Sequence, residues 1–130
     1  MSIDMSVLVD TSVWVDHLRK GDSHLVQLLE KGRVLCHPFV IGELACGNLK
    51  NREEILDALK QLASAPIIEF DEYMQFIDQN RLHGLGIGFV DIHLLASALL
   101  AGATLWTDDK RLKKTATDLG IAHAIEMPAR

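Results

Sequence analysis

Short apolar runs alternate with longer stretches of helical periodicity along the whole chain. Met5-Ser6-Val7-Leu8-Val9 is apolar without polar alternation, the pattern of a strand covered on both faces. Residues 11–19 take helical spacing, with Val13, Trp14 and Leu18 on one face. A second helix fits 22–31, opening at the capping pair Asp22-Ser23, with Leu25, Leu28 and Leu29 inward and Gly32 as its stop. Arg33-Val34-Leu35-Cys36-His37 reads as a second strand, and Pro38 suits the first turn of a helix running to Cys46 and ended by Gly47-Asn48. Asn51 to Ala63 is amphipathic, with Ile55, Leu56, Leu59 and Leu62 on one face and Glu53 and Glu54 at the positive end of the dipole. Pro66-Ile67-Ile68-Glu69-Phe70 reads as a third strand, Asp71 opens a helix fading near His83, and Gly84, Gly86 and Gly88 predict a mobile loop. Phe89 to Ala101 is the most apolar helix, capped by Gly102. Ala103 to Trp106 is a fourth strand, Lys110 to Leu119 a basic helix ended by Gly120, and Ala122 to Ile125 a last strand. Strands alternating with helices predict an α/β fold with a central parallel sheet of four to five strands and helices on both faces.

Against this pattern, four acids stand among apolar neighbours: Asp10, Glu43, Asp91 and Asp109. A carboxylate without water is costly unless a cation or a hydrogen-bonding partner compensates it. Asp10 closes the first strand, Glu43 lies inside Phe39-Val40-Ile41-Gly42-Glu43-Leu44, Asp91 inside Phe89-Val90-Asp91-Ile92, and Asp109 follows Leu105-Trp106-Thr107-Asp108. Three of them have an ordinary alternative: Asp10, Asp91 and either Asp108 or Asp109 stand where a helix N-cap is expected. Glu43 does not. It sits mid-helix, and the residues three and four positions away are Phe39, Val40, Cys46 and Gly47, none of them basic. It reads either as the polar edge of a buried helix or as a side chain reaching inward to a shared cation. Together the four would supply only oxygen ligands, a set that suits Mg²⁺ or Mn²⁺ rather than zinc. In a parallel sheet ligands bind beyond the carboxyl ends of the strands, where Asp10 and Asp109 fall. Removing one of several close carboxylates is expected to relieve repulsion, so Asp10→Asn and Asp91→Asn are both expected to raise the melting temperature without metal.

Composition bounds the rest. The chain has 130 residues, 48% of them hydrophobic, enough for one domain spanning 1–130 with a single core. Thirteen basic against eighteen acidic residues give a formal charge of −5, which argues weakly against a nucleic-acid binder, although an acidic site becomes locally cationic once it holds metal. Cys36 and Cys46 form no CxxC pair and read as reduced and mostly buried, in a cytoplasmic protein without a signal peptide or membrane span. The six histidines lack HxxxH and HExxH spacing, and His93, two residues from Asp91, reads as structural. Gly84-Leu85-Gly86-Ile87-Gly88 is no dinucleotide fingerprint, since it follows a helix, and neither a P-loop nor a GxSxG elbow is present. Lys110, Arg111, Lys113 and Lys114 cluster after Asp109, with Arg81 on the approach to Asp91. Of these Arg81, Lys110 and Arg111 are candidates to hold a phosphate backbone.

Four ordered segments then carry a resemblance: Val7-Leu8-Val9-Asp10-Thr11-Ser12-Val13-Trp14, Ile41-Gly42-Glu43-Leu44, Gly88-Phe89-Val90-Asp91-Ile92-His93-Leu94-Leu95-Ala96-Ser97-Ala98, and Leu105-Trp106-Thr107-Asp108-Asp109-Lys110-Arg111-Leu112. Over essentially its whole length the chain resembles a PIN domain, and within that family the VapC-type toxins of bacterial toxin–antitoxin pairs. The resemblance implies a three-layer α/β/α sandwich and a Mg²⁺-dependent endoribonuclease, with Mn²⁺ as a substitute. It implies that Asp10, Glu43, Asp91 and Asp109 hold the metal, with Ser12 and Thr107 as supporting hydroxyls. The family's Thr, any residue, Asp pattern selects Asp109 over Asp108, and Leu112 stands where a Phe is common. It implies a homodimer, a VapB-like protein antitoxin and an RNA substrate of the tRNA or rRNA class. Two other readings compete: an aspartyl-phosphate protein of the receiver or haloacid-phosphatase type, which also uses an Asp at a strand end, and a catalytically silent PIN-like module. DxDxT is absent after Asp10, and a receiver's acid pair at the end of the first strand is absent too.

Overall fold

Val7, Leu8 and Val9 are fully removed from solvent, so the first strand is the centre of the core rather than its edge. The structure is a computed structural model and describes residues 5–125. Its elements run β1 (Val7–Val9), α1 (Thr11–Lys20), α2 (Ser23–Glu30), β2 (Val34–Cys36), α3 (Pro38–Ala45), α4 (Arg52–Gln61), β3 (Ala63–Ser64), α5 (Phe70–Asn80), α6 (Phe89–Ala101), β4 (Thr104–Trp106) and α7 (Lys110–Asp118). All described strands are parallel, in the order β3-β2-β1-β4, with Leu8 opposite Leu35 on one side and Leu105 on the other.

Parallel neighbours require crossovers, and crossovers are right-handed. The chain steps from β1 to β2 to β3 in one direction, then returns to set β4 on the far side of β1. That reversal puts α1 to α4 over one face and α5 and α6 over the other, the expected three layers. α6 shows why its sequence is apolar nearly all round: every residue from Ile92 to Ala98 is buried. Among the described residues no helix is long and apolar enough to cross a membrane.

Three local expectations are corrected. The third strand is Ala63–Ser64, not residues 66–70. Pro66 has no N–H to give to a ladder, so pairing ends with the Ala65 N–H on the Cys36 carbonyl (2.8 Å). The segment beyond it runs into the cap of α5, where Glu72 Oε1 accepts the Glu69 N–H (3.0 Å). The last strand shrinks to a single bridge between Leu105 and Ala122. Cys46, expected to be buried, is exposed at the end of α3.

Candidate active site

The sheet's order reverses between β1 and β4, and the crevice at their carboxyl ends is where such folds bind ligands. Asp10 leaves β1 there and Thr107 to Asp109 leave β4, tied by the Asp10 N–H on the Trp106 carbonyl (2.9 Å). Asp10 is buried at 6% exposure, and its carboxylate is fully engaged. Oδ1 accepts the Thr11 N–H (2.7 Å), and Oδ2 accepts the hydroxyls of Ser12 (2.9 Å) and Thr107 (2.7 Å). Each hydroxyl in turn accepts a backbone N–H: Ser12 from Asp108 (3.1 Å) and Thr107 from Asp109 (3.0 Å). The two hydroxyls also stand 3.4 Å apart, where either could donate to the other. Two relays, backbone N–H to hydroxyl to carboxylate, end on one oxygen of Asp10 and fix the 107–109 turn against β1.

The other three acids arrive from separate helices. Glu43 is exposed on α3 and accepts the Thr11 hydroxyl on Oε1 (2.7 Å), so it is neither buried nor pointing into the core. Asp91, half-buried in the first turn of α6, accepts the Gly88 N–H on Oδ2 (3.0 Å). Asp109 caps α7 through the Leu112 N–H on Oδ1 (2.9 Å). Their convergence is visible at Asp91. Its carboxyl pKa is raised, first by burial, and then by the negative charges of Asp10, Asp109 and Glu43, against the lowering effect of the Gly88 hydrogen bond. Asp108 is not among those charges. It stands beside Asp16, and burial, a hydrogen bond with the Asp16 side chain and the charges of Asp16, Asp22 and Asp10 raise its pKa. Of the adjacent acids, Asp109 therefore faces Asp91.

Among the described residues no basic side chain forms an ion pair with this cluster. The ion pairs among the described residues are Arg19–Asp16 and Lys114–Asp118, both away from the four acids. The donor set is all oxygen, negative and uncompensated, and a hard divalent cation fits its chemistry. As they stand, the described residues include no group of three or more His, Cys, Asp or Glu arranged to hold an ion. Each carboxylate accepts a hydrogen bond from a nearby N–H or O–H donor.

The basic candidates differ in placement. Arg81 is exposed at the end of α5 in the left-handed region (φ 53°). Lys110 and Arg111 open α7 directly after Asp109. Arg111 lies across Gly86, whose φ of +75° favours glycine. Sequence reasoning missed Thr11, whose hydroxyl holds Glu43, and Asp16, which diverts Asp108. A hydroxyl one residue after a candidate ligand is a readable signal for Thr11. Nothing local marks Asp16.

A PIN domain family model matches residues 7–118. Ribonuclease VapC32 of Mycobacterium tuberculosis, from strain CDC 1551 / Oshkosh and from strain ATCC 25618 / H37Rv, is 48% identical over 122 residues, which cover 93% of this chain and 98% of that protein. Among solved structures, PAE2754 from Pyrobaculum aerophilum superposes with a TM-score of 0.58 at 16% identity, over 85% of this chain and 79% of that one. FitAB bound to an IR36 DNA fragment superposes with a TM-score of 0.60 at 21% identity, over 85% of this chain and 90% of that one. At those identities the superpositions bear on the fold alone.

Proposed function

The chain belongs to the PIN domain family, and on that premise we propose that it is a divalent-metal-dependent endoribonuclease, the toxin of a VapC-type toxin–antitoxin pair. The carrying observation is the uncompensated meeting of carboxylates from separate parts of the chain, felt as raised proton affinity at Asp91. The near-full-length likeness to a ribonuclease supports the reaction class. In this reading Asp10, Glu43, Asp91 and Asp109 hold the ion, which is Mg²⁺ with Mn²⁺ as a substitute. A bound divalent ion there supplies a Lewis acid that makes a water nucleophilic at neutral pH and screens charge on the phosphoryl oxygens.

The chain's own groups do the rest. Asp10 is the rigid mount, because its position is set by β1 and by three donors. Ser12 and Thr107 hold Asp10 and, through their accepted N–H groups, place the turn carrying Asp109. Thr11 steadies Glu43. Arg81, Lys110 and Arg111 hold the substrate's phosphate backbone. The substrate is an RNA of the tRNA or rRNA class, the protein works in the cytoplasm as a homodimer, and a VapB-like protein antitoxin restrains it. An aspartyl-phosphate mechanism gains no support from the sequence, which lacks DxDxT after Asp10.

The test is cleavage of a tRNA and rRNA pool by the purified protein. Cleavage that requires Mg²⁺ or Mn²⁺, stops with EDTA and disappears in Asp91→Asn is expected. Equal cleavage in EDTA, or none with any divalent ion, overturns the proposal.

A further inference from the structure

His37 and Ser97 are both fully buried, and they meet across two helices. His37 is the N-cap of α3, and Ser97 lies in the second half of α6. Nδ1 of His37 accepts the Phe39 N–H (3.0 Å), so the proton of the neutral ring is on Nε2, which donates to the Ser97 hydroxyl oxygen (3.1 Å). Glu43 stands six positions after His37, and Asp91 six positions before Ser97. Six residues of helix rise about 9 Å. The hydrogen bond therefore lies at one end of the α3–α6 seam and the two carboxylates at the other. Between them Phe39 meets His93 edge to face, with ring centroids 4.8 Å apart.

Apolar packing accounts for the aromatic contact but not for the buried polar pair. Two apolar side chains would fill the same space without removing polar groups from water. A hydrogen bond adds direction. Apolar contact tolerates sliding, whereas a hydrogen bond weakens steeply once its length or angle is lost. A satisfied polar pair in a core thus specifies one arrangement of the elements that it joins. Asp10 and Asp109 already have such a hold, through the hydroxyls of Ser12 and Thr107. We propose that His37 and Ser97 form a strut that sets the distance between Glu43 and Asp91, which makes them positioning residues for the divalent ion. The proposal rests on the nuclease reading and adds to it a metal affinity tuned from inside the core. Both side chains act through the helices that carry the acids.

His37 allows cap and strut to be separated. Asparagine reproduces Nδ1 and keeps the cap, while glutamine reproduces Nε2 and keeps the strut. The experiment measures Mn²⁺ binding to the full chain, from the paramagnetic resonance signal of free Mn²⁺, alongside the melting temperature in EDTA. Ser97→Ala and His37→Asn are expected to weaken Mn²⁺ binding by about tenfold, as the loss of a group that orients a metal ligand does. The double variant is expected to bind no more weakly than His37→Asn, because both changes remove one bond. His37→Gln is expected to bind Mn²⁺ like the parent although it melts lower without the cap. In RNA cleavage, Ser97→Ala should need about ten times more Mg²⁺ for half its maximal rate and reach the parent's rate at saturation. Parent-like Mn²⁺ affinity in Ser97→Ala and His37→Asn overturns the strut and leaves the nuclease reading intact. So does an affinity that falls in step with melting temperature in every variant, His37→Gln included, which assigns the pair to stability alone. Should the His37 variants not fold, Ser97→Ala decides by the same two measurements. A parent protein that binds no Mn²⁺ removes the metal reading and the strut together.

Discussion

On the β1–β4 edge of the carboxylate cluster, Asp10 is 6% exposed and accepts three hydrogen bonds. On the α3–α6 edge, Glu43 and Asp91 each accept one, and Asp91 carries the repulsion of the other acids. The same chemical group thus has two different settings within one site. The fold surrounds the Asp10 carboxylate with three donors. It destabilises the charge of Asp91, because burial and like charges outweigh one backbone N–H. The first edge is architecture that happens to be acidic. The second is held under electrostatic stress that a cation would relieve.

Asp10→Asn breaks the comparison hardest. Its amide NH2 would replace an acceptor oxygen and face either the Thr11 N–H or the Ser12 and Thr107 hydroxyls, so at least one of the three hydrogen bonds is lost. Loss of metal-dependent cleavage by roughly a thousandfold is expected, as is a melting temperature in EDTA lower by about 5 °C. This reverses the expectation drawn from charge repulsion alone, and a melting temperature that rises would restore it. Asp91→Asn should lose cleavage to a similar degree yet melt roughly 2 °C higher than the parent in EDTA, a gain that saturating Mg²⁺ erases. The shift follows in sign from linkage: a carboxyl whose pKa is raised in the fold costs stability at neutral pH. If both Asn variants shift the same way in a calorimetric scan, the two edges are not different.

Thr107→Val sharpens the picture on the β1–β4 edge. It keeps the shape but strands the Asp109 N–H and removes one donor from Asp10, so a stability loss of about 1–2 kcal/mol by chemical denaturation is expected. Cleavage should fall by about tenfold, because the turn bearing Asp109 loosens. A neutral effect on both would show that the relay does not organise the turn.

The smallest effect concerns the mount of α3 on the other edge. His37 is fully buried and caps that helix, accepting the Phe39 N–H on Nδ1 (3.0 Å) and contacting the Ser97 hydroxyl through Nε2 (3.1 Å). Nδ1 can accept only while the ring is neutral. Burial, with the charge of His93 adding to it, lowers the pKa from 6.5 to about 4. A depressed histidine pKa means that the folded state binds fewer protons than the unfolded one between those values. The stability this group contributes is present above pH 6.5 and lost as pH falls toward 4. His123, also lowered to about 4, acts in the same direction. Between pH 7 and pH 5 a loss on the order of 1 kcal/mol is expected, and His37→Asn, which can still cap, should show a shallower pH slope on top of its lower stability. An unchanged slope in that variant would take His37 out of the effect.

Much of this was legible before any coordinates. The boundaries of α3 and α6 follow from Pro38 and from Gly88 and Gly102, and the apolar runs at β1 and β4 mark central strands. β3 was misplaced because the apolar pattern of Ile67 and Ile68 outweighed the meaning of Pro66, and Ile67 is in fact 56% exposed. Glu43 stands out from its neighbours in the sequence, and of the two readings open there its exposed position on α3 matches the polar edge of the helix: an apolar stretch of sequence still has an outward side once it coils.

The chain's order of residues determined which segments coil and which extend, since those choices are made among neighbours within a turn or a pleat. It also determined the kind of ligand on offer, because four carboxylates are carboxylates wherever they end up. Which of them meet, and on what terms, was decided only by tertiary structure. Thr11 reaches Glu43 across 32 positions and Thr107 reaches Asp10 across 97. The second contact depends on the crossing of β4 to the far side of β1. Repulsion, desolvation and the aim of a hydroxyl proton all act through space, and no local pattern encodes them.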